Sequence, residues 1–233
     1  MKKYFVEGVL IFLSVLASFF IESYRAKQLN IKTKNALLME LSQVINEDLK
    51  QINKVMNIQN KSLELTNRLL KDYLEDQNMS KDEVAKDYLY VITNSANSFY
   101  SQKGVYTQLL ESGSLELLRY KTLRLKLLFV YEHLDERKLG IDRFVDDFIW
   151  ESFQNLLEDI IVVSSTDQLK KSLMYSEKNI SSYVIGKNYY KSKKVIGFYA
   201  ANMNYIVFYI DILKKYEEEL NDILKLIDQE VNQ

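Results

Sequence analysis

Few side chains in this sequence are equipped to do chemistry. His133 is the only histidine and follows Glu132 directly, so the Glu-x-x-His spacing of a di-iron bundle is absent. Asp135 stands two residues further on, but no nucleophile elbow occurs, and a hydrolase triad has no member to build on. His133 therefore reads as a half-exposed residue near a helix end, where a partial positive charge suits the C-terminal dipole. The chain has no Cys, which removes disulfides, thiol nucleophiles and thiolate zinc sites. Glycine-rich phosphate loops are missing as well. Carboxylates remain: Asp142, Asp146 and Glu151 could serve as an acid and base in a cleft. Their spacing on one side of an amphipathic stretch reads instead as a solvated helix face. The expectation is a protein that is not an enzyme and holds no cofactor and no metal. With 31 Lys and Arg against 32 Asp and Glu, the net charge of −1 lacks the cationic surplus of a nucleic-acid binder.

The elements that would position anything begin with a membrane anchor. After Met1, Lys2 and Lys3 comes an apolar run from Gly8 to Ile21 broken only by Ser14 and Ser18. The run alone makes about 21 Å of helix, but Tyr4 to Tyr24 makes about 31 Å, enough to cross a hydrocarbon core. Tyr4 and Tyr24 then occupy the aromatic belts, with Arg25 just outside and Glu7 one turn inside, within reach of the headgroups or of a basic residue on a partner helix. A cleaved signal peptide has a similar start, but no small-x-small site follows the run. Charge counting leaves the orientation open, since Lys2 and Lys3 face Arg25, Lys27, Lys32 and Lys34 across the span. The short basic leader leans towards a bacterial inner-membrane protein, single-pass, with the bulk of the chain periplasmic.

Residues 28–233 read as one helical bundle behind an anchor of residues 1–27, an all-α fold. Proline is absent and glycine occurs six times, so nothing forces a helix to stop before Gly104. From Leu38 the apolar residues recur at steps of three, four and seven through Leu74, with Gln59 and Thr66 on the seam. Such a seam suits a coiled coil between chains or a bundle within one chain, and the interruptions favour the bundle. Ser80 and Glu83 form a capping box for a helix through about Asn97. Another helix should end at Ser112 and Gly113, with Ser114 opening one that continues to Leu134. Asp135 to Gly140 reads as a charged turn, and Ile141 to Val163 as an amphipathic helix with Asp142, Asp146, Asp147, Glu151, Glu158 and Asp159 on its polar face. Ser164 to Asp167 should cap a short helix towards Tyr175, and 176–193 should be a loop. There Lys191, Lys193 and Lys194 beside Tyr189 and Tyr190 form a basic, aromatic patch suited to anionic headgroups, or simply a loop and a helix start.

The last helix begins near Lys193. Val195 to Leu213 contains no Lys or Arg and has the length of a second span, but Asn202, Asn204 and Asp211 are expensive in hydrocarbon. A central helix flanked on all sides by the bundle gives the same hydrophobicity.

The stretch from Glu7-Gly8-Val9-Leu10 through Ile21 to Tyr24 and Arg25 resembles the start of an uncharacterised family of single-span membrane proteins common in the Bacteroidetes. Tyr106-Thr107-Gln108-Leu109-Leu110-Glu111-Ser112-Gly113-Ser114-Leu115, with Leu118, Leu123 and Arg124, is similar to that family's aromatic-Leu-x-Ser-Gly segment and the Leu-Arg after it. The Glu-Gly order is swapped here and the family's Asn-Asn-Trp ending is missing. The resemblance implies a membrane-anchored helical domain and a structural role for Ser112 and Gly113, a helix stop at a tight packed corner, and it implies no reaction. The expected function is a membrane-anchored scaffold or accessory subunit whose partners are the lipid bilayer and another protein or a second copy of the chain. The alternative is a two-span sensory receptor with an exported ligand-binding bundle and Val195 to Leu213 as its second span.

Overall fold

The computed structural model describes residues 2–165 and 179–232, apart from the side chains of Lys2, Tyr4, Phe5, Val6, Val9, Phe153 and Ser165. The fold is all-α with one small β-hairpin. Helix α1 runs without a break over Lys2–Lys71, so the apolar start and the long helix after it are one element. Its buried positions are Lys34, Leu38, Leu41, Ile45, Asp48, Ile52, Val55, Gln59, Ser62, Thr66 and Leu69, steps of four and three in strict alternation. That 3.5-residue period is the seam of a helix packed lengthwise on another. Helix α6, Lys193–Val231, carries the same alternation from Val195 and Tyr199 through Tyr216 to Ile227 and Glu230. The seam that could have joined two chains is thus buried within one.

Between them lie α2 (Lys81–Asn94), α3 (Gly104–Glu111), α4 (Lys121–Leu128) and α5 (Asp135–Leu156). Ser80 caps α2 in a full capping box: its hydroxyl accepts from the Glu83 N–H at 3.3 Å and the Glu83 carboxylate accepts from the Ser80 N–H at 2.9 Å. Helix α3 stops where Gly113 turns to φ +70°, a backbone state that costs glycine little. A Cβ there would meet nothing within 4 Å, so the corner is a backbone requirement and not the tight packing expected from the resemblance.

Several expectations are corrected. Ser114 opens only a short 3-10 turn, and the helix that follows is α4, continued by π-helical turns over Phe129–Leu134 directly into α5. Asp135 to Gly140 is therefore helix, because Asp135 is buried against Ser101 and Tyr216, whose hydroxyls donate to its carboxylate, each at 2.9 Å. The amphipathic helix ends at Leu156, and Ile160–Ser165 is strand β1, paired antiparallel with β2, Asn179–Ile185, inside the segment expected to be a loop. Ile160-Ile161-Val162-Val163 is a β-branched run, which a strand accommodates better than a helix. Gly186 closes the hairpin: its N–H donates to the Asp159 carbonyl at 2.9 Å, and a Cβ on it would lie 2.9 Å from the Glu158 carbonyl oxygen. The short helix expected after Asp167 lies outside the described residues.

The chain divides into two compact units. The first comprises Met1–Asn46, Gln102–Leu128 and Asn221–Gln233, with buried apolar side chains from α1, α3, α4 and the end of α6. The second comprises Glu47–Ser101 and Phe129–Leu220. Its core gathers Leu69, Tyr73, Tyr88, Ile92, Leu156, Ile160, Tyr189, Phe198 and Tyr199. Within the second unit α1 and α6 run antiparallel, fixed by Asn202 donating to Thr66 at 3.1 Å and the Tyr73 hydroxyl donating to the Ser192 carbonyl at 2.7 Å.

Candidate functional site

Residues 10–30 of α1 are exposed on every side of the helix. Its large apolar side chains from Leu10 to Ile21 are between 39% and 76% exposed. A contiguous apolar surface of this kind in water marks a site of contact with lipid or protein. The polar groups within it are satisfied locally, Ser14 donating to the Ile11 carbonyl at 2.7 Å and Ser18 to the Ser14 carbonyl at 2.9 Å. Hydroxyls bonded back to their own helix are tolerated in an apolar medium. Glu7, Tyr24 and Arg25 are exposed at its two ends; the Tyr4 side chain lies outside the described residues.

The candidate carboxylates do not come together. Asp142 is buried, not solvated, and accepts from the buried Lys138 ammonium at 2.7 Å, while that ammonium also lies 6.0 Å from the Phe99 ring centre and 5.6 Å from that of Tyr100. Glu151 is exposed on α5. Asp159 accepts from the Ser192 hydroxyl at 2.6 Å, which ties the start of α6 to the hairpin. Asp146 stands apart: partial burial, and then the charges of Asp142 and Asp147, raise its carboxyl above the ordinary value. His133 is exposed within the π-helical turns.

The basic, aromatic patch is divided by the fold. Lys191, Lys193 and Lys194 are exposed, whereas Tyr189 is buried with its hydroxyl 2.9 Å from that of Tyr199, and the Tyr190 hydroxyl donates to Asp72 at 2.6 Å. The tyrosines belong to the core, so the lysines alone face solvent.

One polar cluster and one pocket inside the second unit were not legible as sites. Gln59 donates to the Ser95 and Asn97 carbonyls at 3.0 and 2.8 Å, and Asn202 donates to the Thr66 and Ser95 hydroxyls, each at 3.1 Å. These bonds satisfy the amide N–H groups of Gln59 and tie Asn202 to Thr66 and Ser95, while the Gln59 side-chain oxygen stays buried without a partner. The other feature is a pocket of about 500 Å3 between α2, α5 and β1, floored by Tyr88, Leu89, Ile92 and Ile160 and rimmed by Asp146 and Trp150. The signal that could have found it is the β-branched run at Ile160, since only a strand there leaves α2 and α5 apart. Among the described residues no group of three or more His, Cys, Asp or Glu is arranged to hold a metal ion.

Comparison of the chain with protein-family models, with curated proteins and with solved structures finds no match.

Proposed function

We propose that this protein is a membrane-anchored helical scaffold or accessory subunit, non-catalytic, that inserts residues 4–24 of α1 in a bilayer and works by associating with other proteins. The observation that carries the reading is the wholly exposed apolar stretch at the start of α1, continuous with a helix whose later seam is buried in the chain's own core. Leucine, isoleucine and phenylalanine exposed from Leu10 to Ile21, about three turns, are costly in water and stable in hydrocarbon. The resemblance to single-span proteins of the Bacteroidetes points the same way, and with the basic leader it favours an inner-membrane location with the bulk of the chain periplasmic.

The two-span receptor is supported by α6, which contains a window long and apolar enough to cross a membrane. Against it stand the bonds that α6 makes inside the second unit: Asn202 to Thr66 and Ser95, and the Tyr209 hydroxyl accepting from the Phe99 N–H at 2.7 Å. A spanning α6 would break them all.

Because the chain has no cysteine, single substitutions Glu75→Cys and Asn232→Cys report topology cleanly. The expected result is a protein that resists alkaline extraction from membranes, with both positions labelled from the same side of intact cells by an impermeant thiol reagent. Opposite sides would establish the two-span receptor. Release by alkaline extraction would overturn both readings.

A further inference from the structure

The pocket between α2, α5 and β1 lies wholly inside the second unit and owes nothing to the anchor. At about 500 Å3 it falls in the range of small-molecule sites. Its floor is apolar and aromatic. Tyr88 is only 5% exposed and its ring packs edge-on against Phe198.

The rim has a definite charge. Asp146 and Trp150 are four residues apart on α5 and so share one face of the helix. Trp150 is 68% exposed at the mouth. Neither Asp146 nor its neighbour Asp147 forms an ion pair among the described residues, while the charge of Asp142 is matched by Lys138. The mouth is thus a carboxylate beside an indole face with no cation of its own, leading to a largely apolar floor. Carboxylate and indole together attract an organic cation, the first by charge-assisted hydrogen bonding and the second through its ring quadrupole. A carboxylate ligand would meet repulsion at the same place, and a neutral one would leave the rim unused.

We propose that this pocket binds a small organic ammonium ion, its aryl or alkyl body resting on Tyr88, Leu89 and Ile92 and its ammonium group held between the Asp146 carboxylate and the Trp150 ring.

Trp150 is the only tryptophan, so its emission reports on the pocket without labelling. The test titrates the full chain in neutral detergent with benzylammonium, benzyl alcohol and phenylacetate, three probes that share a ring and differ in charge. The expected outcome is a saturable shift of Trp150 emission with benzylammonium, binding of benzyl alcohol weaker by about fivefold, and no saturation with phenylacetate. Asp146→Asn should weaken benzylammonium about three- to fivefold and leave benzyl alcohol unchanged. Asp147→Asn, next to it but not lining the pocket, should change either by less than about twofold. Equal binding of all three probes, an unchanged affinity in Asp146→Asn, equal losses in the two aspartate variants, or no saturable shift at all would each overturn the proposal. Asp146 and Asp147 are both exposed, so either variant should fold, which helicity measured alongside verifies.

Discussion

Asn202 donates two hydrogen bonds in the middle of α6, to side chains from α1 and from the end of α2. Thr66 keeps its own bond to the Ser62 carbonyl, but removing Asn202 takes the donor from the Ser95 hydroxyl and leaves a gap, so Asn202→Ala should lower stability by about 2–3 kcal/mol, read from urea denaturation of the full chain. Tyr205, three residues on, makes the opposite case. Its hydroxyl is buried and unpaired while its ring packs against Phe144 and Phe148, 4.8 and 5.0 Å between centres. Tyr205→Phe keeps the ring and removes an unsatisfied group, so stability should stay within about 0.5 kcal/mol or rise. A fall of 2 kcal/mol would mean that the hydroxyl has a partner after all. Composition and spacing exclude chemistries readily at this scale, since a chain without Cys and with one His supports few of them. They do not pair Gln59 with the Ser95 carbonyl or Asn202 with Thr66. Such partners lie 36 and 136 residues apart, and only the packed helices bring them together.

Elements differ in how far their ends are written locally. The capping box at Ser80 and the left-handed Gly113 are readable because each end is satisfied by neighbours within four residues. The β-hairpin is not, because a short β-branched run after an amphipathic helix extends either as strand or as helix until a second strand arrives to pair with it. Gly186 is the narrow point of that hairpin. Gly186→Ala should cost about 1–3 kcal/mol, since the backbone of Glu158 and Asp159 must give way, and should narrow the pocket that β1 lines. Amide exchange at Ile160 to Val163 checks this directly. At the other end of the chain, Glu230 is fully buried and accepts from the Lys34 ammonium and from the backbone N–H groups of Arg119 and Tyr120, the last two at 3.1 Å. Burial alone would raise its carboxyl, but Lys34 and the two N–H groups outweigh burial and hold it below the ordinary value. A depressed carboxyl adds stability above its unfolded value and loses it as pH falls through the lower folded one. Glu230→Gln should therefore flatten the acid limb of a stability-against-pH curve and, by leaving Lys34 buried without its charge partner, cost about 3–5 kcal/mol at neutral pH. Adding Lys34→Met to Glu230→Gln removes the unpaired cation while the amide oxygen can still accept from the Arg119 and Tyr120 N–H groups, and should recover most of the loss.

For the whole molecule the deciding asymmetry lies along α1 itself. Its seam is buried from Lys34 onward, whereas residues 10–30 are exposed. Hydropathy made the long helices legible, because they depend on periodicity within one segment. The division into two compact units depends on which distant segments pair with α1, and no local pattern carries that. The same asymmetry separates folding from location. If the start of α1 serves only to hold the protein in a bilayer, deleting residues 2–27 removes no buried side chain among the described ones. The shortened chain should keep its fractional helicity over the remaining residues, its free energy of unfolding in urea should change by no more than about 0.5 kcal/mol, and it should move from the membrane pellet to the soluble fraction. Loss of cooperative unfolding would instead mean that the exposed stretch covers part of the bundle, and retention in the pellet would move the membrane contact to another surface, with the outer face of α6, where Val207 and Phe208 are exposed, the next to test.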